Sequence, residues 1–180
     1  MTARAIVLIG PMGAGKTSVG KRVAKRLGLT FTDSDALIVQ KHGPIDEIFT
    51  AHGEAHFREL ERDAVASALS RGGVVALGGG AVLHPDTQRA LRGHRVALLT
   101  VAPHNVAARI RGSARPLLQD GDPVARWREI YAARRPLYEQ LAHVTFDTSA
   151  GPLQDVVDAL AEWASATESE AGLAEPGEHE

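Results

Sequence analysis

Ala5-Ile6-Val7-Leu8-Ile9-Gly10-Pro11-Met12-Gly13-Ala14-Gly15-Lys16-Thr17-Ser18-Val19-Gly20 is the most informative stretch of the chain. Its first five residues are apolar and β-branched-rich, as a buried strand requires. Gly10 to Thr17 then satisfy the spacing G-x-x-x-x-G-K-[ST], and an amphipathic helix follows directly. In that helix Val19, Val23, Ala24 and Leu27 share one face, Lys21, Arg22, Lys25 and Arg26 face away, and Gly28 supplies the stop. With this chain's content of glycine, lysine, serine and threonine, the octapeptide would arise by chance in about 0.4% of such chains, before strand and helix are asked for. Glycines let the backbone curl so that successive N–H groups meet phosphate oxygens, and the helix N-terminus adds partial positive charge. Gly13, Ala14, Gly15, Lys16, Thr17 and Ser18 are therefore read as a triphosphate cradle. Lys16 reaches the β- and γ-phosphates, and the Thr17 hydroxyl is the expected Mg²⁺ ligand.

Downstream, Leu29–Thr32, Val74–Leu77, Val96–Val101 and Val144–Phe146 read as further short strands, with helical patterns between several of them. That alternation argues an α/β fold, a parallel sheet flanked by helices. Helices are predicted over about 53–70, 123–141 and 153–163. The 180 residues fit one domain, and 44% hydrophobic with 23% charged residues is ordinary globular composition. There is no cysteine, which excludes disulfides, thiolate metal sites and sulfur nucleophiles. No run is long enough for a membrane helix and no signal-peptide pattern is present, so a cytoplasmic protein is expected. Net charge is −2, yet 167–180 carry five Glu and no Lys or Arg, leaving 20 basic against 17 acidic groups elsewhere. With 4% aromatics and so mild a positive balance, nucleic acid is not an expected partner and small anions are. Residues 166–180 read as a disordered acidic tail.

A triphosphate loop leaves the acceptor open. Asp33 and Asp35 close the second strand, and a period of two puts both carboxylates on one side at its C-terminal edge. One can hold the magnesium shell and the other accept a proton from an attacking hydroxyl. The alternative is N-capping of a helix starting near Ala36. Gly78-Gly79-Gly80 end the third strand and imply close approach of backbone to a ligand, or else a turn needing positive φ. Ala76 and Leu77 supply no acid at that strand end, so magnesium assistance falls to Asp33. Ile110–Asp122 reads as a lid carrying Arg115, which would neutralise charge over a transferring phosphoryl group. Arg58, Arg134 and Arg135 lie on predicted helices, either solvated or gripping a carboxylate. His52 and His56 are not spaced as His-Glu-x-x-His and show no third ligand, so no metal is expected there.

Six blocks in order, Gly10–Thr17, Phe31–Asp35, Gly53–Arg58, Leu77–Val82, Ala114–Leu118 and Arg134–Tyr138, resemble those of the shikimate kinase family, over residue 4 to about 163. The resemblance implies a nucleoside-monophosphate-kinase-like, P-loop three-layer sandwich over 1–165, with a five-stranded parallel sheet. It further implies a lid over about 111–122 and a small substrate-binding subdomain over about 34–62. The implied reaction is transfer of the ATP γ-phosphoryl group to the 3-hydroxyl of shikimate, on the route to chorismate and aromatic amino acids, with Mg²⁺ as cofactor. It gives Asp35 the substrate hydroxyls and the base role, and Asp33 a magnesium position, through water. Arg58 and Arg134 take the substrate carboxylate, Gly78, Gly79 and Gly80 line its pocket, and Arg115 becomes the lid arginine. Arg135 falls on a variable position. Arg109 resembles the residue packed on adenine, and Pro152 falls in the loop over the base. The stretch between Arg109 and Arg115 is one residue short of the family pattern, which leaves Arg111 as an alternative to Arg109. A monomer binding only ATP and shikimate is expected. Two other readings stand beside it, a gluconate-type or nucleotide kinase and a non-catalytic nucleotide-binding module.

Overall fold

Strand β1, Ile6–Ile9, is buried at every position and sits at the centre of the sheet. The computed structural model describes residues 4–110 and 115–172. Around β1 the chain lays down α1 (Lys16–Leu27), β2 (Phe31–Asp33), α2 (Ser34–His42), α3 (Ile45–Ser70) and β3 (Val74–Ala76). Then follow α4 (Pro85–Leu91), β4 (Arg95–Thr100), α5 (Pro103–Ile110), α6 (Pro123–Leu141), β5 (Val144–Asp147) and α7 (Leu153–Gly172), with single 3₁₀ turns at Ala81–Leu83 and Pro116–Leu118. The strand order is β2-β3-β1-β4-β5, all parallel, with Ile6 in register with Val74 on one side and Arg95 on the other.

Because every crossover returns over a face of the sheet, both faces are covered, and β1 has no solvent side. Ile6 and Leu8 face a core with Val19 and Val23 of α1, Val106 of α5 and Leu160 of α7. Val7 and Ile9 face the opposite layer, with Val65 and Leu69 of α3, Leu91 of α4 and Tyr138 of α6. Each of these side chains contributes about 1.5–3 kcal/mol by leaving water. A third, smaller cluster, Ile38, Ile48 and Phe57, joins α2 to α3 away from the sheet. All strands point the same way, so the loops after β1, β2 and β3 open at one rim.

Several boundaries differ from the sequence reading. The second strand ends at Asp33 and Asp35 lies in the first turn of α2, because the Asp33 side chain accepts the N–H groups of Asp35 and Ala36. The helix expected from about residue 53 begins at Ile45, with a break at Gly53, whose φ of +82° interrupts the helical path. Helices α4 and α5, seven and eight residues long, lacked a readable period. The last helix does not stop near residue 163. It runs to Gly172, so 166–172 continue a helix rather than a disordered tail, since this stretch holds Ala and Glu and meets no Pro or Gly before Gly172. Residues 173–180 of the expected tail and 111–114 of the expected lid lie outside the described residues. Among the described residues no helix is long and apolar enough to cross a membrane.

The link from α3 to β3 depends on Gly73, whose φ is +70° and where a Cβ would run into the Thr30 carbonyl and hydroxyl. Gly73→Ala is expected to lower unfolding free energy by about 2–3 kcal/mol. Urea denaturation checks this, and a loss below about 0.5 kcal/mol would contradict it.

Candidate active site

The loop after β1 turns at Gly10, with φ +142°, where any Cβ would strike the Leu99 carbonyl of the neighbouring strand. Gly13 and Gly15 follow with φ of +79° and +88°, and Gly15 stands at the N-cap of α1 without a capping side chain. The first N–H groups of α1 therefore have no partner within the helix, which suits an anion. The loop's carbonyls are turned away and bonded elsewhere. Lys16 Nζ donates to Gly10 O at 2.7 Å and Pro11 O at 2.9 Å. Trp127 Nε1 donates to Met12 O at 2.8 Å, Arg109 to Gly13 O at 2.8 Å, and Thr148 Oγ1 to Ala14 O at 2.8 Å.

This loop lines a cavity of about 470 Å³ with Lys16, Thr17, Ser18, Asp33, Asp35 and Arg109. Thr17 Oγ1 donates to Asp33 Oδ2 at 2.6 Å, while Asp33 Oδ1 accepts the N–H of Asp35 at 2.9 Å. Capping and site-facing roles, read from the sequence as alternatives, are thus both served by Asp33, one oxygen each. A hydroxyl beside a carboxylate, both hard oxygen donors, is a donor set suited to Mg²⁺. Arg109 reaches the cavity while also holding Thr148 O, and Leu153 lines it in place of its neighbour Pro152, which is exposed. Ala14 is buried under the loop and does not line the cavity. Arg111 lies outside the described residues.

A second cavity, of about 330 Å³, lies on the other side of Met12, Asp35, Gly78, Gly79 and Arg115, which line both. Its remaining wall combines the charges of Arg58, Glu61 and Arg134 with the apolar surfaces of Ile45, Phe49, Phe57 and Leu117, and with Gly80. The chain turns at these three glycines, with the Ala81 N–H bonded to Gly78 O at 3.1 Å, but none of them has a positive φ. A Cβ on Gly78 would come within 2.6 Å of Asp35 Oδ1 and 2.8 Å of Glu61 Oε1, and one on Gly80 would overlap the Arg58 guanidinium. Their bareness lets protein charges close in on the strand end. Arg58 is held by Glu61 at 2.6 Å and Glu54 at 3.2 Å. Arg134 is 8% exposed and enters this cavity, whereas Arg135 lies at the surface, paired with Glu139 at 2.7 Å.

The buried charges perturb one another. Burial, aided by Glu61 and Asp33 and opposed by Lys16, pushes the Asp35 carboxyl up to about 6. Burial, opposed mainly by Asp35, brings the Lys16 ammonium down to about 8. The Glu61 carboxyl is also pushed up by burial, against the pull of Arg58, and burial lowers Arg115 against the pull of Asp35. Such pairs of shifted acid and base mark sites of proton chemistry. Glu61 and Trp127 were not singled out from the sequence. Glu61 stands three residues after Arg58, a helical pairing distance, but among Glu54, Glu59 and Asp63 nothing in the sequence separates it. His52 and His56 stack at 4.8 Å between ring centroids, and no metal-holding group of three His, Cys, Asp or Glu occurs among the described residues.

Comparison with known proteins agrees with this geometry. The shikimate kinase family model matches residues 12–165. A shikimate kinase of Streptomyces coelicolor is 45% identical over 162 residues, covering 88% of this chain and 94% of the relative. One from Thermobifida fusca is 46% identical over 158 residues, covering 86% and 91%. Among solved structures, shikimate kinase from Acinetobacter baumannii in complex with shikimate superposes with a TM-score of 0.86 at 35% identity, covering 92% of this chain and 96% of that one.

Removing the Asp35 charge tests the electrostatics independently of any activity. In the unfolded chain Asp35 ionises near pH 4, in the folded one near 6. Stability from this group is therefore complete below pH 4 and is lost as pH rises through 6. Asp35→Asn is expected to raise Tm by about 2–6 °C at pH 7.5 and to leave it unchanged at pH 4. Calorimetry at both values checks this, and a lower Tm at pH 7.5 would refute it.

Proposed function

The chain belongs to the shikimate kinase family, and we propose that it transfers the γ-phosphoryl group of ATP to the 3-hydroxyl of shikimate, releasing shikimate 3-phosphate and ADP. What carries the reading is the shared wall. A phosphate cradle and an arginine-lined pocket meet at Asp35, so a hydroxyl beside that carboxylate faces the end of a triphosphate.

The roles follow from chemistry. Arg58 and Arg134 hold the substrate carboxylate, and the apolar wall of Phe49 and Phe57 takes the face of its ring. Gly78, Gly79 and Gly80 let the ring approach the strand end. Asp35 accepts the proton of the 3-hydroxyl as its oxygen forms a bond to the γ-phosphorus and the bond to the β–γ bridging oxygen breaks. Lys16, already within the cradle, and Arg115 offset negative charge on the phosphoryl oxygens, which is worth most where water is excluded. Gly13, Gly15, Lys16, Thr17 and Ser18 bind the phosphates, and Arg109 packs against the base. Thr17 and, through water, Asp33 would hold Mg²⁺, which supplies further charge neutralisation on the phosphates. The protein acts in the cytoplasm as a monomer, on the route to chorismate.

Release of ADP with shikimate, gluconate and nucleoside monophosphates as acceptors tests the reading, with shikimate alone expected to stimulate turnover. Its kcat/KM should fall below about pH 6, where Asp35 takes up a proton, and above about pH 8, where Lys16 loses one. Turnover with another acceptor and none with shikimate would overturn the reading.

Arg134→Ala should raise the KM for shikimate by about 10–100-fold, as expected for losing a charged hydrogen bond, with the KM for ATP within about threefold. Arg135→Ala should change neither by more than about twofold, since its partner is a surface glutamate. The reverse pattern, by steady-state kinetics, would exchange the two roles.

A further inference from the structure

Helix α6 enters the site by more than Arg134. Trp127, Tyr131, Arg134 and Tyr138 recur at intervals of four, three and four residues, which puts them on one face of the helix. Trp127 and Tyr138 are each 1% exposed. Their rings form a series through Tyr131, with centroids 5.1 Å apart for Trp127 and Tyr131 and 6.3 Å for Tyr131 and Tyr138. At one end Trp127 Nε1 donates to Met12 O at 2.8 Å, and at the other Tyr138 Oη donates to Gly79 O at 2.5 Å. The two residues are eleven positions, or about three helical turns, apart, and their side chains lean toward one another through Tyr131.

The residues held are the telling part. Met12 and Gly79 both belong to the wall common to the two cavities, and they are neighbours in space. A Cβ on Gly79 would lie 3.5 Å from Met12 N and Cγ, and 3.6 Å from the Arg134 guanidinium. One helix therefore bonds the phosphate loop, bonds the glycine loop and carries the arginine between them. The Met12 carbonyl also precedes Gly13, whose own carbonyl is fixed by Arg109. The indole bond thus sets the direction of the peptide that leads into the cradle.

We infer that Trp127 is a positioning residue for phosphoryl transfer, acting through the Met12 carbonyl to set the phosphate loop in register with the acceptor pocket. The inference rests on the kinase reading above. It concerns alignment rather than grip: Lys16 is tied to the Gly10 and Pro11 carbonyls and not to that of Met12, whereas the distance and angle between hydroxyl and phosphorus follow from where the Met12 peptide sets the loop. Loss of an alignment contact lowers kcat while leaving KM nearly unchanged.

The test is Trp127→Phe, which keeps a ring in the core and removes the N–H donor, with Trp163→Phe as the control for losing an indole from α7. Trp127→Phe is expected to lower kcat by about 5–30-fold with both KM values within about threefold. Trp163→Phe is expected to lower Tm with kcat intact. Should Trp127→Phe not fold, β-(3-benzothienyl)alanine at position 127 carries the same comparison, because sulfur replaces the N–H without loss of volume. An unchanged kcat, or a raised KM at unchanged kcat, would overturn the assignment while wild-type turnover of shikimate upheld the kinase reading. Wild-type enzyme inert toward shikimate would overturn both.

Discussion

A phosphate cradle works when its N–H groups face inward, and a short glycine-rich loop holds that arrangement only if its carbonyls are bound outward. Here the carbonyls of Gly10, Pro11, Met12, Gly13 and Ala14 are engaged by Lys16, Trp127, Arg109 and Thr148. These partners come from α1, α6, α5 and the segment after β5, so the loop's geometry is set by the whole sandwich rather than by its own sequence. The cost of a buried carbonyl without a partner, about 1–3 kcal/mol, is what makes each tie effective. The parallel sheet makes the convergence possible, because it gathers the ends of β1, β2 and β3 at one rim.

The second constraint is charge. Asp35, Glu61, Arg58, Arg134 and Lys16 are drawn into the same small volume, and no pair among them is simply neutralised. Glu61 holds Arg58 and at the same time raises the Asp35 carboxyl. Gly78 and Gly80 are the spatial counterpart of that crowding, since side chains there would occupy the space the charges use. A protein tuned for stability alone would not bury two carboxylates so close together. The outcome is a carboxyl at Asp35 raised to about 6, a property that suits the base role proposed for it.

Much of this was legible in the chain itself. The strand–loop–helix of Ala5 to Leu27, the five strands and the helix of 123–141 carry strong periodicity or unmistakable turn residues, and all of them occur, with the second strand shifted from Leu29–Thr32 to Phe31–Asp33. Alternation of two puts Asp35 on a strand and cannot by itself announce where Asp33 begins to cap a helix. Helices α4 and α5 escaped because two turns are too short to show a period. Over 166–172 acidity suggests disorder, yet Glu and Ala are good helix formers and α7 continues there. At the site, the arginines are recognisable by their blocks, which already set Arg134 apart from Arg135, and Arg134 is the buried one of the two. Glu61 and Trp127 were not recognisable, since what distinguishes them is a neighbour distant in sequence, Asp35 across Gly78 for one and Met12 across 115 residues for the other.

The partition between the cavities has a chemical corollary. The chain has no cysteine and two methionines, Met1 and Met12, so Met12 is its one internal sulfur, and it stands half-buried between the two pockets. Thiol-directed oxidants find nothing to attack in this protein. For peroxide-type oxidants Met12 is the thioether at which one added oxygen, polar and bulky, would intrude on both pockets at once. A sulfoxide at this one position would therefore alter the wall that the two pockets share.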